Sequence, residues 1–325
     1  MKTLVSEIKE NDAVDTCFLV KEKGSAITKT GSPYLKLRLV DRSGEIEGRL
    51  WNGVDQLIGT FEKDDFVRVK GKGVSFQDRL QLNITHLRRA GEEETDLADF
   101  FPMAETDPEE MFQSLLALCA GIRSPWLSRL LALLWEDTDF VARFKRAPAA
   151  KELHHTFLGG LLEHTLSVAR LVLQNANHYP GLNLDLLLTG AILHDIGKVD
   201  ELSYRRSFDY TEPGRLLGHI ILGLERVDAS IRRIEGFPGD LALLLKHLLV
   251  SHHGQTLWGS PKKPMILEGV MLHYLDDLDA KMNGIRQFLR AQVPAGAGWS
   301  PFHRMYDQFF YLPPVPGIED QDPSS

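Results

Sequence analysis

GAILHDIGKVDEL, residues 190–202, decides how the rest of the chain is read. A helical apolar pattern over Leu186–Leu193 stops at His194-Asp195, and Ile196-Gly197-Lys198 follows. Strongly polar residues at the end of a buried helix need partners, and a metal ion can satisfy both. Neighbouring helical residues point about 100° apart, so His194 and Asp195 can grip different sides of one centre. The two oxygens of Asp195 could bridge two ions. Lys198 lies one turn beyond His194, and i,i+4 geometry brings its ammonium near the site if the helix continues. There it would bind a phosphate or stabilise a leaving oxygen. The plainer reading is a solvated lysine just after a glycine helix stop.

Outward from this stretch, nearly everything C-terminal to it and for some eighty residues before it has helical spacing. Glu109–Cys119, Leu127–Trp135, Leu161–Gln174, Asp185–His194, Leu216–Glu235, Leu241–Ser251 and Leu267–Leu289 repeat apolar residues every three or four positions. Ser124-Pro125, Tyr179-Pro180-Gly181 and Phe237-Pro238-Gly239-Asp240 supply starts and breaks. Near the ends of these helices stand His164, His194, Asp195, His219, His252, His253 and Asp276. Imidazole and carboxylate suit borderline or hard divalent cations, and the absence of nearby cysteine argues against a closed structural zinc site. Taken singly, each of these residues is more often structural; taken as an ordered set on helices, they point to a metal centre. Arg215, four residues before His219, is a weaker candidate for clamping a phosphate. His154-His155 reads as a substrate contact or as plain structure.

Residues 13–90 follow period two instead. Thr16–Val20, Tyr34–Val40, Glu45–Trp51, Phe66–Gly71 and Leu80–Ile84 read as five short strands, with a helical segment at Asp55–Phe61 between the third and fourth. That order fits an OB-fold barrel. The expected fold class is therefore mixed β and α in separate domains. A barrel occupies 1–90, an acidic linker 91–108, an all-helical domain 109–311 and a tail 312–325. Within the barrel, Tyr34 and Phe76 stand beside turns and are candidates to stack on bases, while Phe18 and Trp51 are at least as readily core residues. Lys36 and Arg38 share one face of a strand, and Lys70 and Lys72 add further phosphate contacts.

The 325 residues carry a net charge of −8, with 43% hydrophobic and 25% charged residues. That excludes collagen-like and wholly disordered chains, and the length favours two domains. Charge is unevenly spread. Residues 1–90 hold 16 Lys+Arg against 13 Asp+Glu, a net of +3, and the rest a net of −11. Cys17 and Cys119 form no zinc or disulfide pattern. No stretch reaches the ~18–20 apolar residues of a membrane span, and MKTLVSEIKENDAVD is too charged for a signal peptide. A soluble, cytoplasmic protein with no membrane partner is expected; the sequence is silent on oligomeric state.

The series His164, His194-Asp195 and Asp276 resembles the H…HD…D signature of HD-domain metal-dependent phosphohydrolases. The strings GGLLEHTLSVA (159–169), GAILHDIGKVDEL (190–202), GRLLGHIILG (214–223), LLLKHLLVSHHG (243–254) and LHYLDDLDAKM (272–282) carry the resemblance. With the barrel, they are similar to YhaM-type 3′→5′ exoribonucleases over residues 12–310. The resemblance implies His164, His194, Asp195 and Asp276 as core ligands, with Asp276 preferred over Asp277 and Asp279. It implies His219, His252 and His253 as the additional ligands of a two-ion site, manganese as the ion, and one or two ions bound. Asp195 and Lys198 are the expected catalytic residues. The expected activity is hydrolysis of single-stranded RNA, and of single-stranded DNA as a further partner, in the 3′→5′ direction. The alternative is a small-nucleotide or cyclic-dinucleotide phosphohydrolase with a regulatory barrel, although HHGQTLWG at 252–259 lacks the GYP string of one cyclic-dinucleotide group. A non-catalytic nucleic-acid binder is a third class, disfavoured by the complete ligand set.

Overall fold

The computed structural model describes residues 3–28, 31–77, 79–150, 157–204, 209–293 and 297–312. The His154-His155 pair and the tail from 313 onward lie outside the described residues.

Alternation builds the first domain. In β2 (Pro33–Asp41), Leu35, Leu37 and Leu39 point inward between outward Tyr34, Lys36 and Arg38. β1 (Ala13–Ile27) pairs with β4 (Phe66–Phe76) through its first half and with β2 through its second. A bulge between Val20 and Glu22 bends it from one partner to the other. β3 (Gly44–Leu50) runs antiparallel to β2 and parallel to β5 (Arg79–Arg89), which closes the barrel in the order β1-β2-β3-β5-β4. Phe18, Val67, Val69 and Leu82 fill its interior. Closure leaves these five strands no free edge. The helical segment between β3 and β4 is a single turn, α1 (Val54–Leu57), shorter than the 55–61 pattern suggested.

The second domain stacks α2 (Pro108–Ala120), α3 (Pro125–Trp135), α4 (Thr138–Arg146), α5 (Gly160–Ala176), α6 (Leu184–Leu193), α7 (Lys198–Glu201), α8 (Glu212–Arg232), α9 (Gly239–Ser251) and α10 (Leu267–Gln292). α6 is the centre of the layer: every residue from Leu186 to Leu193 is buried, as expected of a helix that is apolar on all sides. A two-stranded ribbon, Leu202–Ser203 with Asp209–Tyr210, leads into α8. α4 was not expected from the sequence. Its short length and basic last turn (Arg143, Lys145, Arg146) dilute the apolar signal, yet Phe140, Val141 and Phe144 are buried.

The acidic segment 91–108 proves to hold a buried plug. Phe100 and Phe101 pack with Cys17, Leu19 and Phe66 of the barrel and with Leu158 of the helical domain. Main-chain bonds reinforce the seam: Arg42 N–H donates to Asp99 O, and Ala104 N–H to Leu158 O. Aromatic pairs among acids carry no period, which is why the segment reads as a plain linker.

Candidate metal centre and barrel face

Five helices or helix ends deliver the expected ligands to one place. α5 brings His164, the C-terminal end of α6 brings His194 and Asp195, and α8 brings His219. The end of α9 brings His252-His253, and α10 brings Asp276. His164 Nε2 lies 3.1 Å from Asp276 Oδ1 and 3.5 Å from Asp195 Oδ2. His194 Nε2 lies 3.4 Å from the same Asp195 oxygen and 3.6 Å from Asp276 Oδ1. On the other side, Asp195 Oδ1 faces His219 Nε2 at 3.4 Å and His252 Nε2 at 3.6 Å. Two groups result, each compact enough to hold an ion. One is His164, His194 and Asp195; the other is Asp195, His219, His252 and His253. Asp195 belongs to both, one oxygen to each side.

Asp195 Oδ1, His219 Nε2 and His252 Nε2 are buried and have no hydrogen-bond partner. A buried polar atom left so costs ~1–3 kcal/mol, and three of them aimed at one point form an arrangement that a bound cation would satisfy. The far nitrogens are engaged instead. Nδ1 of His194, His252 and His253 donates to the carbonyls of Ala191, Leu249 and Trp258. Nδ1 of His164 meets Asp279 at 2.7 Å, and Nδ1 of His219 meets Glu201 at 3.2 Å. Engaging Nδ1 in this way turns Nε2 inward, the nitrogen through which these rings would ligate a metal.

Electrostatics of the cage follow from this crowding. Burial favours a neutral His194, but Asp195 and Asp276 outweigh it and push the ring up to about 10. His164 is likewise raised against burial by Asp276 and Asp279. Burial also opposes the charges of Asp195 and Asp276. Lys198 and His194 nevertheless hold Asp195 well below the usual carboxylate range, and His194 and His164 do the same for Asp276. His252 and His253 go the other way, because burial dominates; His253 falls to about 4. The carboxylates facing His164 and His194 thus favour the protonated rings that a cation would have to displace, while burial favours neutral His252 and His253.

Lys198 is no solvated lysine. The helix does not continue past His194; α7 restarts at Lys198, and its Nζ sits 2.6 Å from Asp195 Oδ2 with the side chain largely buried. Arg215 is exposed, and its Nη2 donates to both carboxylate oxygens of Asp209 at 3.0 Å rather than to a residue of the cage. Two acids back the ligand rings: Asp279, which the sequence reading ranked behind Asp276 as a ligand, and Glu201, which it did not single out. The only signal was spacing: Asp279 stands one helical turn beyond Asp276, on the same face.

On the barrel, Tyr34 and Trp51 stack with ring centroids 4.7 Å apart. The Arg49 guanidinium lies 5.2 Å from the Phe76 ring centroid, and about 6 Å from those of Tyr34 and Trp51. These four side chains line a groove of about 520 Å³. Trp51 is not in the core: Leu50 points inward, so alternation turns Trp51 outward, and it is 40% exposed. Phe18 is fully buried as expected. The basic residues are less free than their sequence suggests. Lys36 pairs with Glu47 at 3.1 Å, Arg38 with Glu22 and Glu45, Arg49 with Glu47 at 2.8 Å, and Lys70 with Asp15 at 3.2 Å. Lys70 and Lys72 stand on β4, separated from β3 by β5.

Comparison with known families agrees with this division. Residues 161–281 match the HD domain, and residues 19–90 match the OB-fold nucleic acid binding domain of the tRNA anticodon type. Among solved structures, the chain is similar to the second OB-fold domain of replication protein A from Methanococcus maripaludis. That match has 23% identity and a TM-score of 0.23, covering 27% of this chain and 94% of that one. A replication protein A heterotrimer bound to ssDNA matches at 20% identity and a TM-score of 0.21, over 28% of this chain and 66% of that one. The OB domain of a Methanosarcina mazei protein matches at 13% and 0.23, over 28% and 83%. The chain is a closed five-stranded OB-type barrel followed by a helical HD domain, the fold of metal-dependent phosphohydrolases. Among the described residues no helix is long and apolar enough to cross a membrane.

Proposed function

We propose that this protein is a metal-dependent exonuclease that shortens single-stranded RNA from its 3′ end, with single-stranded DNA as a further substrate. The observation that carries the reading is the sharing of Asp195 between two ligand groups, with unpartnered atoms converging on it. The residues fit a pair of divalent cations, manganese by resemblance. Such a pair supplies an activated water at neutral pH and neutralises charge on the phosphodiester during displacement. His164, His194, Asp195 and Asp276 would hold one such ion, and Asp195, His219, His252 and His253 the other.

The chain's own residues do the rest. Lys198, restrained by Asp195, keeps a buried ammonium at the edge of the cage, where a phosphate oxygen or a leaving 3′ oxygen can meet it. Asp279 and Glu201 hold the inward orientation of two ligand rings. The polymer is held at a distance from the reacting bond. Exposed Trp51 and Phe76, with half-buried Tyr34 stacked on Trp51, offer π-faces on which bases stack without regard to sequence, and Arg49 lies among them.

The test is incubation of the protein and Mn²⁺ with 5′-end-labelled single-stranded RNA, the matching DNA and a panel of free nucleotides. A ladder of shortened 5′-labelled products is expected. Immediate release of labelled mononucleotide would reverse the direction. Phosphate release from free nucleotides with RNA left intact would replace this reading by a small-nucleotide phosphohydrolase.

A further inference from the structure

We propose that Glu201 is a positioning residue that aims His219 at Asp195 and thereby completes the second ion's half of the centre. This rests on the two-ion reading above and deepens it.

The backbone of α8 sets the position of His219. Its helix is interrupted at Gly218, whose φ of 74° and ψ of 161° lie outside the helical region. Any side chain is strained at that φ. The break takes the His219 N–H out of the helical bonding pattern, and Glu201 Oε1 accepts it at 2.9 Å. The same oxygen lies 3.2 Å from His219 Nδ1. One carboxylate oxygen therefore grips both the backbone and the ring of a single residue. With Nδ1 held as donor, His219 Nε2 faces Asp195 Oδ1 at 3.4 Å and finds no hydrogen-bond partner there.

The distance between Glu201 and His219 is set by backbone contact. A Cβ added to Gly214 would lie 2.2 Å from Glu201 O, and one added to Gly197 would lie 2.0 Å from His219 O. α7 and α8 can approach this closely only because both positions are glycine. Thr211 adds main-chain and hydroxyl bonds to Glu201 O. Glu201 is thus fixed in a slot, largely buried, with its carboxylate directed at one ring.

The centre is symmetric in this respect. His164 of the first group is backed by Asp279, which also accepts from Ser167 Oγ and Asn283 Nδ2. His219 of the second group is backed by Glu201. The remaining three rings lean on carbonyls. Each half therefore has one histidine whose outer nitrogen faces a carboxylate, the partner that most raises the ligand strength of the inner nitrogen.

The test uses the full chain, freed of metal by chelation and titrated with Mn²⁺ alone, with ions counted by calorimetry and elemental analysis. Wild type should take up two ions. Glu201→Ala should retain the first at unchanged affinity and bind the second about 100-fold more weakly, with Glu201→Gln about 10-fold weaker. In a His219→Ala background, Glu201→Ala should add no further loss, since its effect runs through that ring. A merely structural role would lower both affinities together and would add to His219→Ala; either result overturns the proposal, as does a wild type that binds one ion. If Glu201→Ala does not fold, Glu201→Gln decides, and wild-type affinity for both ions overturns it. Metal uptake is the readout, so a chain that binds two ions yet cleaves no RNA defeats the exonuclease reading and leaves this one standing.

Discussion

At the helical centre, Asp195 Oδ1, His219 Nε2 and His252 Nε2 are buried with no hydrogen-bond partner, whereas on the barrel face Lys36, Arg38 and Arg49 each meet a glutamate. Both regions are rich in charge, but only the first is left incomplete by its own protein. Burial without partners is costly, so a cation bound among these atoms would stabilise that region. The barrel face is internally matched and solvated, and ion pairs of that kind contribute little to stability. What it leaves open is aromatic surface. The difference assigns chemistry to one region and grip to the other, and it shifts the expected source of grip from phosphate charge to stacking.

The strongest way to break this contrast is Asp195→Ala. It removes the shared ligand, so turnover should fall by several orders of magnitude and metal uptake should collapse, while affinity for single-stranded RNA survives. Rates and filter binding on the same preparation check both halves; near-wild-type turnover would show that Asp195 bridges nothing. Less drastic is His252→Ala, which should reduce bound manganese from two ions to one per chain by elemental analysis. Two ions in His252→Ala would remove that ring from the ligand set.

On the barrel side, Trp51→Ala and Tyr34→Ala should each weaken RNA binding by about 1–3 kcal/mol if the pair stacks on bases, with ion content unchanged. Equal affinities in wild type and both variants would empty the groove of its role. The smallest effect is expected from Glu47→Gln, which frees Lys36 and Arg49 together. Binding should tighten modestly, and each cation released to a phosphate should steepen the salt dependence by about 0.7 in the logarithmic slope. A slope already steep in wild type would mean that the ion pairs open on contact and that charge, after all, provides the grip.

The two regions also differed in how far their sequences could be read. His164, His194, Asp195, His219, His252, His253 and Asp276 stood out as polar residues set in apolar helical runs; His219 and Asp276 lie well inside α8 and α10 rather than near their ends, and the fold brings all seven together. Glu201 did not stand out, and Asp279 was legible only as an alternative to Asp276, not as the partner of His164. Asp279 meets a ring 115 positions away in the chain, and Glu201 meets His219 only because α8 breaks at Gly218. Neither contact has a periodic signature. On the barrel, period two disclosed the strands, but the ion pairs depend on register. Lys36 stands opposite Arg49, and Arg38 opposite Glu47, only once β2 and β3 are paired. Trp51 illustrates the same limit, since its outward direction follows from the inward one of Leu50.

The central claim, that Asp195 joins two ions into one hydrolytic centre, is tested most directly by titrating metal-free protein with Mn²⁺ while following cleavage of 5′-labelled single-stranded RNA. The account predicts no cleavage in chelator, little with the first equivalent and a steep rise as the second is taken up. Full cleavage in chelator, or activity complete at one equivalent, would contradict it.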